Sequence, residues 1–244
     1  MNSKRLTNSA NRLRRMHDAL LSAYGPQGWW PAETPFEVVL GAYLTQNTSW
    51  KAVQRSLGNL RTAGVFTIES LRQVTLHTLQ ELIRPSGFVT RKAPALKAFV
   101  AMLDSEFQGS LDLLAALPTQ TLRIRLLALP SVGPETADAI LLYALGHAVP
   151  VADEYLRRIA DRHKLLQTGS RNTRANYEAL TQLTRTAFAL DPSPMHREHF
   201  GEFHALVVAV GKLHCRSISR CDGCPLAADL PLRTRTRLSR PSGV

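Results

Sequence analysis

The run Leu129-Pro130-Ser131-Val132-Gly133-Pro134-Glu135-Thr136-Ala137 constrains this chain more than any other segment. A tight turn at Val132 and Gly133 that opens directly into a helix aims backbone N–H groups outward at the positive helix end, an arrangement that grips phosphate. Ser131, Val132, Gly133, Glu135 and Thr136 are the residues placed to do so. An apolar helix follows and stops at Gly146, and Val151-Ala152-Asp153 comes after it, with Asp153 eighteen residues beyond Glu135. A carboxylate close to a polyanion weakens binding, so Asp153 suggests chemistry on a sugar rather than affinity. Nucleic acid, DNA first, is the substrate to consider.

Charge agrees. A formal net charge of +11 and a pI near 10.2 attract a polyanion over long range and make binding salt-dependent. No apolar run approaches the roughly 20 residues that span a bilayer, and the start of the chain (Lys4, Arg5, Arg12, Arg14, Arg15) lacks the apolar stretch of a signal peptide. A cytoplasmic location is expected. Three cysteines, all within Cys215–Cys224, form no secreted disulfide framework.

The periodicity is helical almost throughout. Phe36, Val39, Leu40, Tyr43 and Leu44 share one helical face, as do Ala137, Ile140, Leu141, Ala144 and Leu145. Further helices are expected near 51–62, 68–83, 91–105, 119–129, 153–165, 173–189 and 198–214, separated by breakers such as Gly64, Pro85-Ser86-Gly87, Gly109 and Pro118. No stretch alternates with period two. The fold class is all-α, ending in a Cys-rich loop and a basic tail over 231–244 that reads as disordered.

The hairpin, the aspartate and the cysteines together resemble the helix-hairpin-helix DNA glycosylases of the endonuclease III superfamily, over roughly residues 25–230. The resemblance implies two interleaved helical domains: a six-helix domain over 28–147 containing the hairpin, and a second built from 1–27 and 148–230. The active site would lie in the cleft between them. Gly28-Trp29-Trp30-Pro31, the segment Phe36 to Thr48, Arg84-Pro85-Ser86-Gly87-Phe88 and Glu135-Thr136-Ala137-Asp138-Ala139-Ile140-Leu141 look closest to the 3-methyladenine branch.

The resemblance implies roles residue by residue. Glu135 stands where bifunctional members carry a lysine that attacks the sugar, and a carboxylate forms no imine. Glu135 also suits a first helical turn behind Pro134. Trp29, Trp30, Pro31 and Phe36 would line a base pocket, where an indole face attracts a cationic alkylated purine; a buried aromatic cluster is the plainer reading of the pair. Asp153 would be the catalytic carboxylate, stabilising an oxocarbenium-like sugar or activating water, and it also has the form of a helix N-cap. Gln46 and Asn47 would fill the gap left by the extruded base, or simply cap a helix end. Lys212 would sit by the base pocket, or bind phosphate as a solvated cation.

The same family binds a [4Fe–4S] cluster through four cysteines. Here Cys215, Cys221 and Cys224 are present, Leu230 takes the fourth place, and the first gap is a residue short. The loop reads as degenerate, with neither this cluster nor a zinc site using His214 expected, so no cofactor and no metal. The expected protein is a monomeric, monofunctional glycosylase that hydrolyses the N-glycosidic bond of alkylated purines such as 3-methyladenine in double-stranded DNA, with no membrane partner. The alternatives are an endonuclease III-like pyrimidine glycosylase with lyase activity, which would need a lysine from only six, none in the hairpin, and a non-catalytic binder of damaged DNA.

Overall fold

The computed structural model describes residues 3–169 and 173–231; the basic tail beyond residue 231 lies outside them. Twelve α-helices are present among the described residues, and no strand. They are α1 (Ser3–Tyr24), α2 (Pro35–Leu44), α3 (Trp50–Thr62), α4 (Ile68–Gln73), α5 (Leu76–Leu82), α6 (Val89–Phe107), α7 (Leu111–Ala115), α8 (Thr119–Leu127), α9 (Pro134–Ala139), α10 (Glu154–Arg162), α11 (Arg174–Ala187) and α12 (His196–Leu213). Their starts follow capping chemistry: Thr34, Ser49, Thr67, Thr75, Ser110, Asp153 and Thr173 each accept a backbone N–H from the first turn.

The single helix expected over 68–83 is two. Val74 takes an extended backbone, with ψ of 138°, and Thr75 caps a fresh start. Thr67 with Ser70 and Thr75 with Thr78 are paired cap signals that outweigh the apolar period running through them.

The chain divides into two compact units, one of Trp30–Val149 and one of Met1–Trp29 with Pro150–Val244. In the first, every residue of α2 from Phe36 to Leu44 is buried, and Tyr43 meets Phe99 edge to face at 6.1 Å. The buried Lys92 donates to the carbonyls of Leu44 and Ser86, both at 2.8 Å, and so ties the end of α2 to the turn before α6. In the second unit α1 packs on α11 and α12, and Phe188 gathers His17, Phe200 and Phe203 around it. Arg14 pairs with Asp191, and Arg12 with Asp229.

Candidate active site

The helix-hairpin-helix is α8, the turn Ala128–Gly133 and α9. A bidentate pair from Arg123 to the buried Asp138, at 2.7 and 3.0 Å, clamps the two helices. The turn is not built as the glycine suggests. Ser131 is the left-handed residue, at φ of 62°, and Gly133 is extended, at φ of −94° and ψ of 176°. Gly133 is therefore not demanded by positive φ, and a Cβ there would meet no protein atom within 4 Å. Val132 anchors the turn in the core, Ser131, Gly133 and Glu135 face outward, and Thr136 is buried.

Gln46, just beyond α2, reaches this turn. Its amide nitrogen donates to the Ser131 carbonyl at 3.0 Å and to the Thr136 hydroxyl at 3.1 Å, so the side chain braces the hairpin. Asn47 is exposed and left-handed, at φ of 53°. Phe88, not among the residues anticipated for the site, shares that character: it is 53% exposed, at φ of 51°. Its signal in the sequence was the Gly87-Phe88 pair, an aromatic directly after a turn glycine.

Asp153 caps α10 and is 7% exposed. Its Oδ1 accepts the Leu156 N–H at 2.8 Å, and its Oδ2 lies 4.0 Å from His204 Nε2 on α12. Burial raises its pKa to about 6, against the pull of the Leu156 and Tyr155 N–H groups and of the Arg158 charge. Burial also pushes His204 down to about 4, so this imidazole is neutral near pH 7. His204 is invisible to spacing arguments, being one polar residue in the run Phe203-His204-Ala205-Leu206-Val207-Val208.

The two tryptophans part company, since the boundary between the units falls between them. Trp30 packs with Trp50 and Tyr143, at centroid distances of 5.6 and 5.3 Å, and a Cβ at Gly41 would lie 3.1 Å from its ring, so glycine lets the ring approach α2 closely. Trp29 carries the Lys212 ammonium 5.4 Å from its ring centroid. Pro31 is exposed, and Phe36 is buried in the first turn of α2.

The Cys-rich loop does not match a four-thiolate cluster. Leu230 is buried in the fourth place, and the Arg162 guanidinium lies 3.0 Å from Cys215 Sγ. Burial pushes the Cys215 and Cys224 thiols up, so both are protonated near neutral pH in the metal-free protein. His214 is held by the Arg220 carbonyl at 2.9 Å, and among the described residues no three His, Cys, Asp or Glu side chains converge to hold a metal ion.

A family of HhH-GPD superfamily base excision DNA repair proteins matches residues 40–184. A Methanocaldococcus jannaschii protein named "Putative DNA repair glycosylase" is 38% identical over 221 residues, covering 90% of this chain and 96% of that one. Endonuclease III homolog 1, chloroplastic, of Arabidopsis thaliana is 28% identical over 82% of this chain, which spans 50% of that longer protein. Among solved structures, H. pylori 3-methyladenine DNA glycosylase bound to 1,N6-ethenoadenine aligns with a TM-score of 0.70 and 26% identity, over 84% of this chain and 97% of that one. A trapped endonuclease III–DNA covalent intermediate aligns at 0.73 with 21% identity, over 95% and 99%, a likeness of fold. Among the described residues no helix is long and apolar enough to cross a membrane. The chain belongs to the HhH-GPD superfamily of base excision DNA repair proteins and is a DNA glycosylase of that superfamily.

Proposed function

We propose that the protein is a monofunctional glycosylase that binds double-stranded DNA and removes alkylated purines, leaving an abasic site. The observation that carries this reading is Glu135, exposed in the first turn of α9 where a lyase-type member would present a lysine. An enzyme without that amine must rely on hydrolysis, and hydrolysis is easiest when the base is already cationic. The likeness to the H. pylori 3-methyladenine enzyme supports the same class of lesion.

In this reading the hairpin grips a backbone phosphate through the turn that Gln46 braces, and the absent Cβ of Gly133 leaves room for close approach. Asn47 and Phe88, both exposed on left-handed turns that Lys92 links, enter the stack as the damaged base leaves it. The indole of Trp29 offers its face to the cationic base, an attraction worth up to about 2 kcal/mol when desolvated. Asp153, ionised above about pH 6, stabilises the positive charge that develops on the sugar and orients or deprotonates the attacking water. No step calls for a metal or cluster.

The test is a base-release assay on methylated duplex DNA with borohydride present in a parallel reaction. Free 3-methyladenine with no trapped protein–DNA adduct is the expected result. A trapped adduct would restore the lyase reading, and retention of every base would make the protein a binder of damaged DNA.

A further inference from the structure

In the same unit as Asp153, and bordered by Tyr155 and Arg158 of the helix that Asp153 caps, lies an open cavity of about 230 Å³ whose other lining residues are Lys212, Arg216 and Ser217. Three cations border one small space, with no carboxylate among its lining residues. A buried donor belongs to one of them: among the described residues Arg158 Nε has no hydrogen-bond partner.

The neighbouring structure holds the cations in place. A Cβ at Gly211 would overlap the Tyr155 ring, so glycine is what lets Tyr155 lie directly on α12. The Arg158 guanidinium stacks on that ring at 4.9 Å. From the other side Arg162 donates to the carbonyls of Arg216 and Ser217, at 2.6 and 2.8 Å, fixing the loop that carries both. Lys212 spans two roles, bordering the cavity while its ammonium rests on Trp29.

We propose that this cavity binds a phosphodiester of the damaged DNA strand next to the lesion. The proposal rests on the glycosylase reading above and supplies something that reading lacks. Arg158 acts electrostatically on Asp153, and Lys212 stacks on Trp29, so unneutralised they would repel both a cationic base and a positive sugar. A phosphate between them cancels that repulsion where the reaction develops its charge. The DNA thereby contributes to the release of its own damaged base.

The experiment is a neutral-linkage scan. Duplexes carrying a tetrahydrofuran abasic analogue have one phosphate at a time replaced by an uncharged methylphosphonate, and binding is measured by fluorescence anisotropy against the wild type and the Arg216→Gln and Lys212→Gln variants. One linkage beside the analogue should lower wild-type affinity about tenfold, and that same linkage should lose its effect in both variants, whose salt slopes fall by about one unit. Arg216 and Lys212 are exposed, and an unchanged urea midpoint for each variant shows that the fold survives the loss of the Arg216 bond to the Lys212 carbonyl and of the Lys212 contact with Trp29. If no linkage is special, or if the same linkage matters equally in the variants, the proposal is wrong. Competition by inorganic phosphate with no sensitive linkage would make this a free-anion site and equally overturn it. Base release from methylated DNA is scored separately: excision without a special linkage sinks the phosphate site alone, whereas a special linkage without excision sinks the glycosylase reading alone.

Discussion

Replacing Asp153 with asparagine should make the protein more stable and less active, and the pH dependence of the gain can be worked out beforehand. The Asp153 pKa rises on folding from 3.8 to about 6. The stability this group contributes is complete below 3.8 and is lost as pH rises through 6, a change of about 3 kcal/mol. His204 runs the other way, from 6.5 down to about 4. Its contribution is complete above 6.5 and is lost as pH falls through 4, again about 3 kcal/mol. Over the interval between 4 and 6 the two slopes nearly cancel, and the wild type hides both.

Asparagine keeps the oxygen that accepts the Leu156 N–H, so the cap on α10 survives. Asp153→Asn should therefore match the wild type near pH 4 and exceed it by about 3 kcal/mol near pH 8, as urea denaturation at a series of pH values would show. The difference between the two curves isolates this one carboxyl. Turnover on methylated DNA should fall about 10²–10⁴-fold, and the wild-type rate should rise through pH 6 to a plateau. A variant less stable than wild type at pH 8, or one with unchanged turnover, would mean that Asp153 is only a cap and that its burial has no catalytic purpose.

Other substitutions separate the remaining roles. Glu135→Lys restores an amine to the first turn of α9, and borohydride should then trap an adduct on abasic DNA that the wild type does not give. Trp30→Ala opens a hole between Trp50 and Tyr143 and should cost about 3 kcal/mol of stability by denaturant titration. Trp29→Ala should instead slow release of cationic bases while affinity for undamaged duplex stays near normal; equal losses on both would assign the ring to the scaffold. Gly211→Ala forces Tyr155 off α12 and should cost about 1–3 kcal/mol while weakening DNA binding through the displaced Arg158.

The parts of this molecule legible in the sequence are those that depend on neighbours along the chain. The α2 core face, the hairpin between α8 and α9, and Asp153 at the head of α10 all announce themselves through period, turn residues or capping chemistry. What stays hidden depends on contacts across the fold. Nothing near Asp153 in the chain signals His204, fifty-one residues away on α12. Gly133 misleads for a different reason: glycine in a turn suggests positive φ, yet Ser131 absorbs the left-handed geometry and leaves Gly133 extended. Gln46 was legible as a polar residue at a helix end, but its brace to Ser131 and Thr136 joins positions 85 and 90 residues apart.

The Cys-rich loop then acquires a purpose that its cysteines do not explain. A loop that cannot gather four thiolates needs another way to hold its shape, and here arginine side chains provide it. Arg162 reaches Cys215, Arg216 and Ser217 together, while Arg12 joins the His163 carbonyl to Asp229 at the far end of the loop. Such a scaffold differs physically from a cluster, because the backbone is held by guanidinium hydrogen bonds rather than by metal–thiolate bonds. Arg162→Met should free the backbone of Arg216 and Ser217 and loosen the cavity wall while removing one cation. The loss of DNA affinity and of salt slope should then exceed that of Arg216→Gln, which removes a cation and its bond to the Lys212 carbonyl but leaves the Arg162 hold on Arg216 and Ser217 in place. Equal losses in the two variants would show that the loop keeps its shape without Arg162.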